Sequence, residues 1–280
     1  MKTPAWYTSN APWRPSFLLE KDSPRRQVCQ NEPMPTFFQA TDPAPLFSII
    51  IPARDEEHSL PACLASIKAA LSNASTTAEV IVVLNRCTDN TARVAEAYRC
   101  RTARDESKNL SAIRNAGAAQ ARGRYLVTID ADSKMSPKML SQIAICLENT
   151  GIVGGGVAIL PERWSFGILA TGMLLLPIAL RYGISGGLFF CRKEDFTAIG
   201  GFNEQLSSVE DIDFARRLKA HGKRSGRKFK TLLRSYIITS CRKFDRFGDW
   251  YFVLRPWLTW SLLKGRNQAA ADVVWYDFKH

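Results

Sequence analysis

The stretch "YLVTIDADSKM", Tyr125 to Met135, turns from apolar to acidic in two steps. Tyr125 to Ile129 has the character of a strand, and Asp130 and Asp132 follow at once, one residue apart. A strand without apolar–polar alternation is covered on both faces, as in a parallel sheet. Ligands of such sheets bind beyond the carboxyl ends of the strands. Two carboxylates this close repel each other, and two readings account for them. They hold a hard divalent ion, which takes one or two protein carboxylates and completes its shell with water and substrate phosphates. Or they form a turn that caps the helix starting near Ser136.

The same pattern extends upstream and downstream. "LFSIII" is a continuous apolar strand that ends at Pro52, and "VIVVL", Val80 to Leu84, is a second. Between them Leu60, Leu64, Ile67 and Leu71 fall on one helical stripe, with Ser59 placed as its cap. "DNTARVAEAY" reads as a second helix and "NLSAIRNAGAAQARG" as a third, closed by Gly123. After "YLVTI" comes a helix with Ser136 as N-cap and Pro137 at its first position, then the strand "GIVGGGVAIL". Strand and helix alternate at least four times, which specifies an α/β domain with a mostly parallel sheet. Residues 1–45 are proline-rich and lack periodicity, so they read as an extended N-terminal arm on which Trp6, Trp13 and Phe17 could dock to the domain. The domain itself spans 46–280 and divides into 46–133 and 134–280, the second part with C-terminal helices.

Composition sets bounds. The 280 residues are 46% hydrophobic and carry 38 basic against 26 acidic side chains, a formal charge of +12. The excess favours anionic partners such as nucleotides or lipid head groups. No nucleic-acid-binding motif accompanies it, so nucleic acid is not expected. Seven scattered cysteines, none in C-x-x-C spacing, read as reduced thiols of a cytoplasmic protein. The apolar run Trp164–Leu180 is short of the roughly 20 residues that span a bilayer and contains Pro177. It reads as a core, dimer-contact or interfacial helix. With the aromatic and basic C-terminus "DWYFVLRPWLTWSLLKGR" it leaves a peripheral membrane contact open.

The residues that follow the strands are those to inspect for chemistry. Asn85 ends a strand and could read a nucleobase edge, while Thr88 or Asp89 after it would cap a helix. Lys108, Arg114 and Asn115 are either a solvated helix face or a contact to nucleotide. In "SSVEDIDFARRL", Ser207 and Glu210 fit a capping box. Asp211 is left over, in line with the apolar Phe214, Ala215 and Leu218. A carboxylate on a buried stripe is a candidate general base.

Taken in order, these segments resemble the family 2 glycosyltransferases of the GT-A fold. "PARDEE" is similar to the P-x-x-N-E-E opening, with Asp55 in place of Asn. "VVLNRCTDNT" is similar to V-V-D-D-G-S-T-D-N-T, but has Leu84, Asn85, Arg86 and Cys87 where D-D-G-S is commonest. "KNLSAIRNAG" resembles the K-x-x-x-x-A-R-N-x-G helix and "DADS" the D-x-D site. "SGGLFFCRKEDFTAIGGFNEQLSSVEDIDFARRL" resembles S-G-x-x-x-x-x-R-x-x-F-x-x-x-G-G-F-x-E followed by E-D-x-D-x-x-x-R-L. The resemblance runs from about Leu46 to Asp245.

It implies an inverting, hexosyltransferase-type enzyme that moves a sugar from a nucleotide-diphosphate donor to a hydroxyl of a glycan, a lipid-linked glycan or a small molecule. UDP-sugars stand ahead of GDP- and dTDP-sugars. Pro52, Glu56 and Asn85 would border the base and ribose, Arg114 would face the nucleotide and Asp130 would approach the ribose. Asp132, with Asp130, would bind Mn²⁺ or Mg²⁺. Asp211 would be the general base, with Glu210 beside it. Many members carry a metal-ligating His after the E-D segment. Here "IITSCRKF" has none, so the metal is left with few protein ligands, and His221 sits at a helix end where capping suits it. A nucleotidyltransferase on a similar sheet and a non-catalytic nucleotide-binding module are the alternatives.

Overall fold

The computed structural model describes residues 44–182, 187–255, 257, 258 and 261. The expected docking of Trp6, Trp13 and Phe17, the glycine at 186 and most of the C-terminal tail lie outside these residues.

The described chain forms β1 (Phe47–Ala53), α1 (Leu60–Ala74), β2 (Ala78–Leu84), α2 (Thr91–Ala97), β3 (Arg101–Arg104), α3 (Leu110–Ala119) and β4 (Tyr125–Ile129). There follow β5 (Ser133–Met135), α4 (Met139–Glu148), β6 (Ile152–Pro161), α5 (Phe166–Tyr182), β7 (Leu188–Arg192) and α6 (Lys193–Ala198). The chain continues with α7 (Glu210–Arg224), β8 (Lys228–Thr239), α8 (Arg242–Phe247) and α9 (Tyr251–Leu254). The eight strands make one sheet in the order β3-β2-β1-β4-β7-β6-β8-β5. β1 runs parallel to β2 and β4, β2 to β3 and β6 to β8, while β7 is antiparallel to both of its neighbours and β5 to β8.

The lack of alternation in β1, β2 and β4 has the expected cause. Ile49 and Ile51 face α1 and α4 in one buried cluster, while Ile50 between them faces α3, α6 and α7 in the other. Both faces of the strand are dry, so every position is apolar. Gly117 of α3 sets how close that helix comes to the sheet, since a Cβ there would stand 2.5 Å from Ile50 Cγ2 and 2.7 Å from Val83 Cγ2.

Several local expectations are corrected. β1 continues through Pro52 to Ala53, and Pro52 keeps its place opposite Val83. α3 ends at Ala119, short of Gly123. α4 starts at Met139 and not after Ser136, whose backbone and hydroxyl are engaged with Tyr236. Ser59 makes no side-chain cap, and no capping box forms at α7, where Val209 sits at φ 57° ahead of Glu210. His221 does not cap its helix: its Nε2 lies 3.0 Å from Asp195 Oδ1, in a cluster with Arg227. The reading of Trp164–Leu180 as core also fails, because α5 leaves Phe166 84% and Met173 66% exposed, with Leu169 and Leu174–Leu176 also exposed. Among the described residues, no helix is long and apolar enough to cross a membrane.

Candidate active site

At the carboxyl ends of β1, β2 and β4 lies a cleft of about 470 Å³. The eight residues to which the resemblance gives a role line it, namely Pro52, Glu56, Asn85, Arg114, Asp130, Asp132, Glu210 and Asp211, while Lys108 and Asn115 are not part of the lining. They come from segments more than 150 residues apart, and the strand ends collect them as the general rule for open α/β sheets requires. Arg242, Lys243, Phe244 and Phe252 also line it and were not anticipated.

Arg114 is neither solvated nor aimed at open space. Its guanidinium is buried and serves three carboxylates. Nη1 donates to Asp211 Oδ1 at 2.7 Å and Glu210 Oε1 at 3.2 Å, and Nη2 donates to Asp130 Oδ1 at 2.9 Å. The Phe202 ring lies 5.2 Å from its Cζ. The solvated-face reading of Arg114 is therefore corrected: the guanidinium is buried, lines the cleft and links Asp211 and Glu210 to Asp130. The other oxygen of Asp211, Oδ2, accepts from Gly187 N at 3.3 Å. Phe214, Ala215 and Leu218 are buried as their spacing implies, which turns Asp211 toward the cleft wall.

Burial pushes the Glu210 carboxyl up to about 7, and the charge of Asp211 pushes it the same way against the opposing pull of Arg114. This value exceeds the unfolded one of 4.5. Between the two, the folded chain holds a proton that the unfolded chain has released, so stability falls as pH rises from about 4.5 through about 7. Urea denaturation across that window should show the fall, and Glu210→Gln should flatten it. An unchanged slope in the variant would refute this assignment.

Asn85 is buried, and its amide orientation follows from its partners. Nδ2 donates to Asp105 O at 2.7 Å and Ser107 O at 2.8 Å, so both amide hydrogens are spent on the 105–107 loop. What remains is the acceptor Oδ1, which takes a 3.3 Å bond from Arg86 Nε and keeps a second lone pair. In this orientation Asn85 offers an acceptor and no further donor. Asn85→Asp, although aspartate is the commoner residue in the motif, is expected to destabilise the chain by about 3 kcal/mol, because two carbonyls lose their donors and face a carboxylate. Chemical denaturation checks this, and an unchanged midpoint would contradict it.

The D-x-D pair is held by cations already present. Arg242 Nη2 donates to Asp132 Oδ2 at 3.0 Å and to Glu56 Oε1 at 2.8 Å. The contact is built into the sheet. β5 pairs with β8 through Ser133 and Thr239, and Ser240 N donates to Asp132 O at 3.3 Å, which places α8 directly over the aspartate. Arg163 clamps the same segment through Asp245 and Asp249. Lys243 shares the cleft, and its ammonium pKa is lowered by burial while Asp132, Asp130 and Glu210 pull it back up.

A divalent ion at Asp130 and Asp132 would compete with cations already paired there. Each carboxylate already has a guanidinium partner. A divalent ion there would share Asp130 with Arg114 and Asp132 with Arg242, and its repulsion from the two guanidinium groups would offset part of its attraction to the carboxylates. Among the described residues, the group of three with ligand atoms within 4.8 Å is Asp55, Cys87 and Asp89, none of which is part of the cleft lining. Its carboxylates accept from Thr88, Glu57 and Thr91. Arg242 was missed in the sequence because only a ligand was sought in "IITSCRKF". The available signal was two adjacent basic residues just past a strand end.

A mostly parallel sheet with an acid-lined cleft at its strand ends defines an open α/β scaffold. Comparison with known proteins makes it specific: the chain belongs to glycosyl transferase family 2, whose model matches residues 48–193. The model of the N-terminal domain of galactosyltransferase matches residues 178–238. The chain is 28% identical over 229 residues to the uncharacterized protein y4gI of Sinorhizobium fredii, covering 68% of itself and 24% of that protein. It thus spans about a quarter of that relative's length. Among solved structures it is similar to S. aureus TarS 1–349, with TM-score 0.55 and 20% identity over 81% of this chain and 68% of that one. It is also similar to glucosyl-3-phosphoglycerate synthase from Mycobacterium tuberculosis, solved with Mn²⁺, UDP and phosphoglyceric acid. There the TM-score is 0.52 and the identity 18%, over 77% and 78% of the two chains. These likenesses establish the GT-A fold.

Proposed function

We propose that the cleft binds a nucleotide-diphosphate sugar and that the chain transfers the sugar to an acceptor hydroxyl with inversion at the anomeric carbon. The observation that carries this is the placement of Asp211. Its carboxylate is fixed by Arg114 and Gly187 in the same cleft as the strand-end residues that would hold the nucleotide. An acceptor hydroxyl has a high pKa, and a positioned carboxylate removes its proton as the oxygen attacks. The new C–O bond forms at the anomeric carbon on the face opposite the departing diphosphate. One displacement of this kind inverts the centre.

Asn85 supports a set of donors. An acceptor at the base edge suits the N3–H of uracil or thymine and the N1–H of guanine, and not the bare N3 of cytosine. UDP, GDP or dTDP should bind more tightly than CDP, as isothermal titration with each would show. Tighter binding of CDP would overturn the assignment of Asn85. The reading does not use the divalent ion expected at Asp130 and Asp132, whose carboxylates are engaged by Arg114 and Arg242.

The exposed face of α5 supports a peripheral membrane contact on a protein of charge +12. Flotation with anionic liposomes should carry the protein upward, and Phe166→Ser with Met173→Ser should reduce that. Protein that stays at the bottom of the gradient would contradict the contact. An acceptor anchored in lipid fits that location.

A further inference from the structure

The leaving diphosphate gathers negative charge that the site must offset. We infer that the Arg242 guanidinium, with the Lys243 ammonium beside it, is the counter-ion of the donor's diphosphate, so that this chain binds its donor without a divalent metal. The inference rests on the reading of the cleft as a donor site.

Three observations carry it. Arg242 stands at the carboxyl end of the sheet and touches the second D-x-D aspartate, Asp132, where the resemblance places a cation. Two carboxylates orient it, Glu56 at 2.8 Å and Asp132 at 3.0 Å, and neither belongs to its own helix. Lys243 follows it in the same cleft, and the pair together carries the formal charge of one divalent ion. A guanidinium presents five planar donors that match the oxygens of a diphosphate, and a lysine adds a compact point charge. Asp132 then changes role: it holds the cation in place as a positioning residue.

The step balances without a metal. The acceptor proton passes to Asp211 and the acceptor oxygen bonds to the anomeric carbon. The bond from that carbon to the diphosphate oxygen breaks, and the electron pair stays on that oxygen, facing Arg242 and Lys243.

The test is titration of UDP, GDP and dTDP into the wild-type chain in excess EDTA and again in MnCl₂ or MgCl₂. The nucleotide that binds should do so with Kd values that agree within about threefold in the two conditions. Arg242→Gln should weaken it by about tenfold or more in both, the worth of a charged hydrogen bond, and Arg242→Lys should recover part of the loss. The wild-type comparison needs no variant to fold. Circular dichroism checks the folding of the variants. Binding confined to the metal-containing buffer would overturn the inference and leave the donor reading intact. So would an Arg242→Gln chain that binds like wild type. No binding of any of the three in either buffer would remove the donor reading and the inference with it.

Discussion

Arg114→Met should cost the fold about 3–5 kcal/mol, the usual penalty for removing one member of a buried ionic group. Asp130, Glu210 and Asp211 converge on this one guanidinium. Without it, three carboxylates face each other and have lost the guanidinium they share. Methionine fills much of the volume against Phe202, so a large loss would report charge and not a cavity. The sign of the pH dependence makes the test sharper. At low pH the carboxylates of the variant take up protons and their repulsion fades, so the gap between variant and wild type should narrow as pH falls. Urea denaturation at neutral pH and near pH 4 measures both. A loss under about 1 kcal/mol at neutral pH would show that Arg114 does not hold the site together.

Asp211→Asn should lower turnover by about 10²–10⁴, the range of a lost general base, while nucleotide affinity stays within about threefold. Asparagine keeps the shape of the side chain, and its carbonyl oxygen can still accept from Arg114. What it loses is the ability to take a proton from the attacking hydroxyl. Steady-state kinetics beside nucleotide titration separates the two effects. A variant that fails to bind nucleotide would place Asp211 in donor binding. One that turns over at the wild-type rate would remove it from the chemistry.

Much of this architecture was legible in the residues. β1, β2 and β4 stand out because both of their faces are dry and their runs are unbroken. Of the missed strands, β7 is buried along its whole length, and the other three lack that signal for identifiable reasons. β3 is an edge strand that starts and ends in arginine, and β5 is three residues long. β8 alternates between exposed and covered positions and slips register between Val157/Ala158 of its partner β6. Helix starts were misplaced where a side chain that could cap found a distant partner, as Ser136 did in Tyr236.

The acidic half of the site was legible for the same reason as the strands: its residues follow directly from strand ends. The basic half was not. Arg242 reaches Asp132 across 110 positions of sequence, through a β5–β8 pairing that no local pattern reveals. The direction of the Asn85 amide depends on carbonyls 20 and 22 residues away. Arg114 could be read as part of a solvated helix face because its three partners lie on two other segments. Periodicity reports which side of an element is buried, and it is silent on which buried charges meet.

Proton NMR of the sugar released from a UDP-, GDP- or dTDP-sugar, with water or a supplied alcohol as acceptor, addresses the proposed chemistry at its core. The anomeric signal should first appear with the configuration opposite to that of the donor, alongside the nucleoside diphosphate, and Asp211→Asn should suppress both. A product that retains the donor's configuration, or pyrophosphate in place of the nucleoside diphosphate, would contradict inverting transfer by Asp211.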